Sequence, residues 1–392
     1  MTNLELRKHA NDVRKGIIMA VHSAKAGHPG GSLSAADVFT YLYFEELNID
    51  PKNPEKEDRD RFVLSKGHTA PGLYATLANR GFFPVEDLTT LRKLGSYLQG
   101  HPNMHIPGVD MASGSLGQGI SAAVGMALGA KLGNKDFRVY TLLGDGEIEE
   151  GQVWEASMFA GFRKLDNLCV LVDNNNLQID GPIDQVCSPY PIDEKFKAFN
   201  FHVINVDAHD FDALRAAFAE AKATKGSPTC IVLHSIKGKG VSFMENSVDW
   251  HGKAPNDEEF AVAMADLDKI EKEGYYYYLD RKKRFRKKEY LRNQLFLEDS
   301  KAKIVFPEKE ENNVNISKSN TINGPLDDEV MKDFTLKQLF TIKRMIHEQS
   351  KKDIQKKYLL DNWKCDYICT NIERLITMKK RGENMYKKKR KK

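Results

Sequence analysis

Apolar positions change their period along this chain. Between residues 138 and 235, largely apolar runs such as Val139-Tyr140-Thr141-Leu142-Leu143 and Leu168-Cys169-Val170-Leu171-Val172 alternate with longer stretches of helical spacing. Short continuous runs read as buried strands, and apolar residues three and four apart read as amphipathic helices. The pattern predicts strands at 138–143, 168–172, 202–206 and 229–235, with helices at 151–164, 193–199 and 210–224. Upstream, Val13, Ile17, Ile18, Met19 and Val21 predict a helix over 4–26, ended by His28-Pro29-Gly30-Gly31. A helix capped by Ser34 is expected over 34–46, with Val38, Phe39, Leu42 and Phe44 on its apolar side. Phe62-Val63-Leu64 predicts a short strand, 71–80 and 86–94 read as helical, and 120–132 reads as a long helix rich in Ala and Gly.

Strands that alternate with helices of about a dozen residues specify an α/β fold, a parallel sheet with helices on both faces. Ligands of such sheets sit beyond the carboxyl ends of the strands. His68, Asp145 and Asn175 each fall just past a predicted strand end, and Lys237-Gly238-Lys239-Gly240 follows another.

Residues 271–392 are different in kind. They hold 32 Lys and Arg against 19 Asp and Glu, net +13, whereas the whole-chain net charge of +4 leaves −9 for residues 1–270. The predicted organisation is a domain over 1–270 and a basic Lys- and Asn-rich tail over 271–392, mainly helical or disordered. Helical spacing recurs over 327–360 and 366–379. Residues 308–326 read as a polar linker, and the basic run at 387–392 should be disordered. No apolar run approaches the roughly 20 residues of a membrane span, and the charged N-terminus has no apolar core of a signal peptide. Five scattered cysteines, with only a C-x₃-C at Cys365 and Cys369, read as reduced thiols of a cytoplasmic protein.

The candidate chemistry centres on Gly144-Asp145-Gly146 and Asn174-Asn175, each at the end of a predicted strand. Alone, Gly-Asp-Gly is only a turn. Two adjacent strands ending in oxygen ligands can hold one Mg²⁺, with a diphosphate completing its shell. Asp145 would bind the metal directly, Asn175 through its amide oxygen and Leu177 through its backbone carbonyl. Gly146 would let the backbone approach the phosphate.

Four histidines lie beside Gly or Pro: His28, His68, His101 and His251. A loop histidine is usually solvated, but four on a chain with a diphosphate site suggest proton transfer and hydroxyl binding. No H-E-x-x-H pair points to zinc. Gly114-Ser115-Leu116-Gly117-Gln118-Gly119 precedes the Ala- and Gly-rich helix as a backbone lip. Glu150 reads as an acid at a helix N-terminus.

Residues 4–268 resemble the N-terminal, diphosphate-binding part of transketolases, and most of all the separate N-terminal subunit of split transketolases. The resemblance rests on Gly27-His28-Pro29-Gly30-Gly31-Ser32-Leu33-Ser34, Leu64-Ser65-Lys66-Gly67-His68, Gly100-His101-Pro102 and the Gly114–Gly119 loop. It extends through Gly144-Asp145-Gly146-Glu147-Ile148-Glu149-Glu150-Gly151, Asp173-Asn174-Asn175-Asn176 and Trp250-His251-Gly252. It implies a thiamine-diphosphate-binding fold with Asp145, Asn175 and the Leu177 carbonyl as ligands of Mg²⁺. His68, Gly114, Ser115, Leu116, Gly146 and His251 match groups touching thiamine diphosphate. His28, His101 and His251 match histidines lining the substrate channel, and Glu150 matches an interface acid that pairs with the cofactor-activating Glu of the neighbouring domain. Many full-length relatives have Pro where this chain has Ser115.

The implied reaction transfers a two-carbon ketol unit from a ketose phosphate to an aldose phosphate. A complete transketolase also carries a pyrimidine-binding domain and a C-terminal domain, and residues 271–392 resemble neither. The expectation is a partner, a C-terminal transketolase subunit carrying the pyrimidine domain, in a two-plus-two assembly. Two alternatives remain. One is a thiamine enzyme subunit like 1-deoxyxylulose-phosphate synthase; His28-Pro-Gly-Gly and Trp250-His-Gly weigh against it. The other is a non-catalytic protein that binds through its basic tail. That tail carries no recognised nucleic-acid motif, so nucleic acid is not an expected partner.

Overall fold

A computed structural model describes residues 1–272 together with 303–305 and 321–323. The chain divides into two units, residues 1–278 and 279–392. In the second, Lys303–Val305 pairs antiparallel with Thr321–Asn323. Thr321–Asn323 falls in the stretch expected to be a linker; the helices expected at 327–360 and 366–379 and the basic run at 387–392 lie outside the described residues.

The first unit opens with α1 (Asn3–Ala24), whose N-terminus is closed by a capping box between Thr2 and Glu5. Its buried residues Leu6, Ala10, Val13, Ile17 and Val21 keep the three-and-four spacing that marks one helical face. Next come α2 (Pro29–Ser34) and α3 (Ala36–Tyr41), which widens into a π-helical turn over Leu42–Glu46. His28-Pro29-Gly30-Gly31 therefore does more than end a helix. Pro29 occupies the first turn of a new one, where its missing N–H costs nothing. Ser34 does not cap: its hydroxyl donates to the Gly31 carbonyl and to Asp173.

The chain continues through β1 (Arg61–Leu64), α4 (Ala70–Arg80) and a 3₁₀ turn at Val85–Thr90, shorter than the helix expected at 86–94. Then come α5 (Gln118–Leu132), β2 (Val139–Gly144), α6 (Gly151–Phe162) and β3 (Leu168–Asn174). A small hairpin of β4 (Leu177–Gln178) and β5 (Gly181–Pro182) precedes α7 (Ile183–Val186) and α8 (Ile192–Ala198). The unit closes with β6 (His202–Asp207), α9 (Phe211–Ala223), β7 (Thr229–His234) and α10 (Asp257–Lys272).

The sheet order is β1-β2-β3-β7-β6 and every pairing is parallel. Successive strand residues face opposite sides. Tyr140 and Leu142 join one core with α1, α3, α4 and α9; Val139 and Leu143 join the other with α5, α6 and α8. Burial on both faces is why these strands read as continuous apolar runs. Because β1, β2, β3 and β7 are contiguous, the loops after Leu64, Gly144, Asn174 and His234 meet at one edge. Among the described residues no helix is long and apolar enough to cross a membrane.

Candidate active site

The loops after β2 and β3 lock together through Asp145. Its Oδ2 accepts the Asn176 backbone N–H at 2.6 Å and the Asn174 amide at 3.2 Å, while Oδ1 accepts the Gly146 N–H at 3.0 Å. Asn175 Oδ1 accepts the Leu177 N–H at 3.1 Å. Asp145, Asn175 and the Leu177 carbonyl thus lie on one connected pair of turns. Burial raises the Asp145 carboxyl to about 6, and nearby Asp173 adds to the effect. The set is all oxygen, which suits a hard cation such as Mg²⁺, and a buried carboxylate beside a second acid is a fitting ligand for one. Among the described residues no three His, Cys, Asp or Glu side chains cluster as metal ligands.

Two buried lysines border these turns. Lys66 pairs with Asp173 at 2.5 Å, and both are almost fully buried. Asp173 also accepts from Ser34, Ser235 and, at 3.1 Å, the Asn175 amide. Burial alone would raise its carboxyl, but the Lys66 charge and these donors outweigh that and hold it below the usual range. Lys237 donates to the Leu177 carbonyl and to His251 Nδ1, each at 2.9 Å. Burial lowers the Lys237 ammonium to about 8, with Asp145 opposing the shift. A buried ammonium beside the oxygen set fits a polyanion bound there.

Three of the predicted histidines converge. The His28 ring lies 5.2 Å from His68 and 5.6 Å from His251, and His68 stacks on His251 at 5.3 Å. His28 is lowered to about 4 by burial and then by His101, Arg92 and Lys237; His251 falls to about 3 through burial, then Lys237. Burial followed by Lys66 depresses His68, and burial followed by Arg92 depresses His101. All four are therefore biased toward the neutral ring, with one donor and one acceptor nitrogen. His101 is exposed, and its carbonyl accepts the Tyr74 hydroxyl at 2.8 Å.

Gly114 lies against His101 and beside Gly67, which precedes His68. A Cβ at Gly114 would sit 3.2 Å from the His101 ring, so the lip and that histidine touch. Ser115 and Leu116 are exposed. Gly117 has φ +80°, and a Cβ there would lie 2.9 Å from Glu150 Cβ. Only glycine suits that conformation and that approach. Glu150 itself is exposed, at the N-cap of α6.

Sequence reasoning gave no role to Glu147, Lys66 and Asp173, which it quoted only within motifs, or to Lys237, which it noted only as following a strand. Each is a charged residue at or just past the end of a buried strand, and that was the available signal. Their partners are far away in sequence. Glu147 accepts the Gly117 and Gly144 backbone N–H groups, each at 3.0 Å, together with the Ser65 hydroxyl, so one carboxylate ties three loops.

The chain matches the family model described as transketolase, thiamine diphosphate binding domain, over residues 6–304. A 6-deoxy-6-sulfo-D-fructose transketolase subunit of Clostridium sp. is 45% identical over 68% of this chain and 97% of its own length. An apulose-4-phosphate transketolase subunit of Phocaeicola vulgatus is 40% identical over 69% of this chain and 97% of its own. Among solved structures, the transketolase of Campylobacter jejuni superposes with a TM-score of 0.65 at 34% identity, over 68% of this chain. This chain spans only 43% of that enzyme. The chain belongs to the transketolase family and is an N-terminal subunit carrying its thiamine-diphosphate-binding domain.

Proposed function

We propose that the chain supplies the metal- and diphosphate-holding half of a two-carbon ketol transferase, and that a separate C-terminal subunit with the pyrimidine domain supplies the rest. In this reading Asp145, Asn175 and the Leu177 carbonyl hold Mg²⁺. His68, the Gly114-Ser115-Leu116 backbone, Gly146 and His251 hold thiamine diphosphate. The bound cofactor supplies the chemistry that opens a ketose between C2 and C3. The chain's own residues orient substrate and cofactor and handle protons. Neutral His28 and His101 each offer one N–H and one lone pair to sugar hydroxyls, whereas His251, whose Nδ1 accepts from Lys237, offers the N–H of Nε2.

The observation that carries this reading is the meeting, at four contiguous strand ends, of an all-oxygen ligand set, the buried Lys237 and three ring-to-ring histidines. The partner is supported by apolar side chains on the α5 and α6 surfaces: Leu132, Met158 and Phe162 are 71%, 59% and 77% exposed. The exposure of Glu150 at the start of α6 supports the reading in which it pairs with the activating Glu of the other subunit in a two-plus-two assembly. The names of the two relatives carry a sulfo and a phosphate group, which supports a sugar donor with a terminal anion. The buried thiols Cys169 and Cys230, free of disulfides, support a cytosolic location.

The test combines the purified full chain with a C-terminal subunit, thiamine diphosphate and Mg²⁺. Ketol transfer is expected from the mixture and from neither chain alone, with metal-dependent cofactor binding lost in Asp145→Asn. Turnover by this chain alone overturns the division of labour; no cofactor binding by the mixture overturns the reading of the site.

A further inference from the structure

Arg14 of α1, Asp37 of α3 and His209, in the turn between β6 and α9, meet as a buried cluster. Asp37 Oδ2 accepts Arg14 Nη2 at 2.5 Å and also pairs with His209 Nδ1. His209 Nε2 accepts the Ile236 backbone N–H at 3.0 Å. A ring nitrogen that accepts carries no proton, so the His209 proton sits on Nδ1 and is donated to Asp37. Arg14 Nε donates to the Lys239 carbonyl at 3.2 Å. Burial alone would raise the Asp37 carboxyl, but the Arg14 charge and the His209 hydrogen bond outweigh it and hold that carboxyl well below the usual range.

Ile236 and Lys239 bracket Lys237. The cluster therefore grips both ends of the segment that carries this lysine, one through His209 and the other through Arg14. Between them Gly238, at φ +74°, donates its N–H to the Gly30 carbonyl at 2.9 Å. Lys237 in turn donates to the Leu177 carbonyl and to His251 Nδ1. A lysine stem is long and flexible, and holding two acceptors at once costs it least when its backbone is already fixed. We propose that His209 and Arg14 are positioning residues: anchored on Asp37, they fix the Lys237 backbone so that its ammonium sets the Leu177 carbonyl and the His251 ring for the magnesium diphosphate. The inference rests on the diphosphate reading above and extends it to three residues outside the sequence motifs.

The test measures binding of magnesium pyrophosphate and of magnesium thiamine diphosphate by calorimetry, on the full chain with and without a C-terminal subunit. His209→Asn keeps an amide N–H near the Nδ1 position for Asp37 and removes the acceptor of the Ile236 N–H. Affinity should fall about tenfold, as for loss of one hydrogen bond to a charged group. His209→Gln, whose Oε1 reaches the Nε2 position, should recover most of it. Arg14→Lys, which keeps a cation for Asp37 and drops the bond to the Lys239 carbonyl, should lose affinity in the same way. The deciding step is a cycle with Lys237→Met: in that background neither His209→Asn nor Arg14→Lys should change affinity more than about twofold, because no ammonium is left to place. If His209→Asn does not fold, the Arg14→Lys cycle decides. Equal losses with and without Lys237 assign the cluster a general structural role and overturn the inference. Wild-type affinity in His209→Asn and Arg14→Lys, or in Lys237→Met, overturns it while leaving the diphosphate site intact. If wild type binds neither probe, the diphosphate reading itself falls and takes the inference with it.

Discussion

Glu147 accepts the Gly117 backbone N–H at 3.0 Å from thirty residues away, and its second oxygen holds the Gly144 N–H at the same distance. The carboxylate is buried and raised by that burial, with the three donors opposing the shift. Glu147→Ala strands the buried Gly117 N–H, at a cost of about 1–3 kcal/mol, together with the half-buried Gly144 N–H and the buried Ser65 hydroxyl. The variant should lose roughly 2–5 kcal/mol of stability in urea unfolding. Glu147→Gln should recover only part of this, since its N–H₂ faces a donor whichever way it turns. Full recovery by Gln would show that the charge is irrelevant to the three-loop junction.

The Lys66–Asp173 pair is a buried ion pair of the kind whose breakage is costly. Lys66→Met leaves Asp173 with hydroxyl and amide donors but no cation, and about 3–5 kcal/mol should be lost. In Lys66→Met with Asp173→Leu no buried charge is left unpaired, so the double variant should be more stable than the sum of the single losses predicts. A double-mutant cycle by denaturant unfolding measures the coupling; strict additivity would contradict it.

Acid should loosen the histidine cluster. In the unfolded chain His28 takes up a proton near 6.5; in the folded chain it does so only near 4, with His101, Arg92, Lys237, His68 and His251 around it. The unfolded state binds more protons between these values, so the stability is fully present above pH 6.5 and declines as pH falls toward 4. Urea midpoints recorded across that window should fall less steeply for His28→Asn than for wild type. Parallel curves would remove His28 from the acid response.

The apolar surface of α5 and α6 should be energetically idle in the isolated chain and decisive in assembly. Phe162→Asp, at a position 77% exposed, should leave the melting temperature of the lone chain within about 2 °C of wild type. Its affinity for a C-terminal subunit, followed by sedimentation velocity, should fall at least about tenfold, as for an apolar anchor at an interface centre. Unchanged sedimentation of the mixture would place the interface elsewhere.

The sheet was legible because burial on both faces writes itself into sequence as unbroken apolar runs; β2 and β3 fall within two residues of their expected ends. The 34–46 helix was misread at its start because Ser34 looks like a cap, yet its hydroxyl is taken by Asp173, 139 residues away. Local rules carry no information about such a partner. The same reason hid Glu147, whose donors come from Ser65, Gly117 and Gly144. The histidines were visible through their Gly and Pro neighbours, whereas the lowering of His68 and His251 comes from burial and from Lys66 and Lys237, which only the fold assembles.

The bare face of α5 and α6 also bears on how such a chain is made. A polypeptide that leaves Met158 and Phe162 in water is, until covered, a substrate for aggregation and for quality-control machinery. Its cellular abundance should then follow the supply of whatever covers that face, so that synthesis matched to a covering chain should raise the soluble pool above that of the chain made alone.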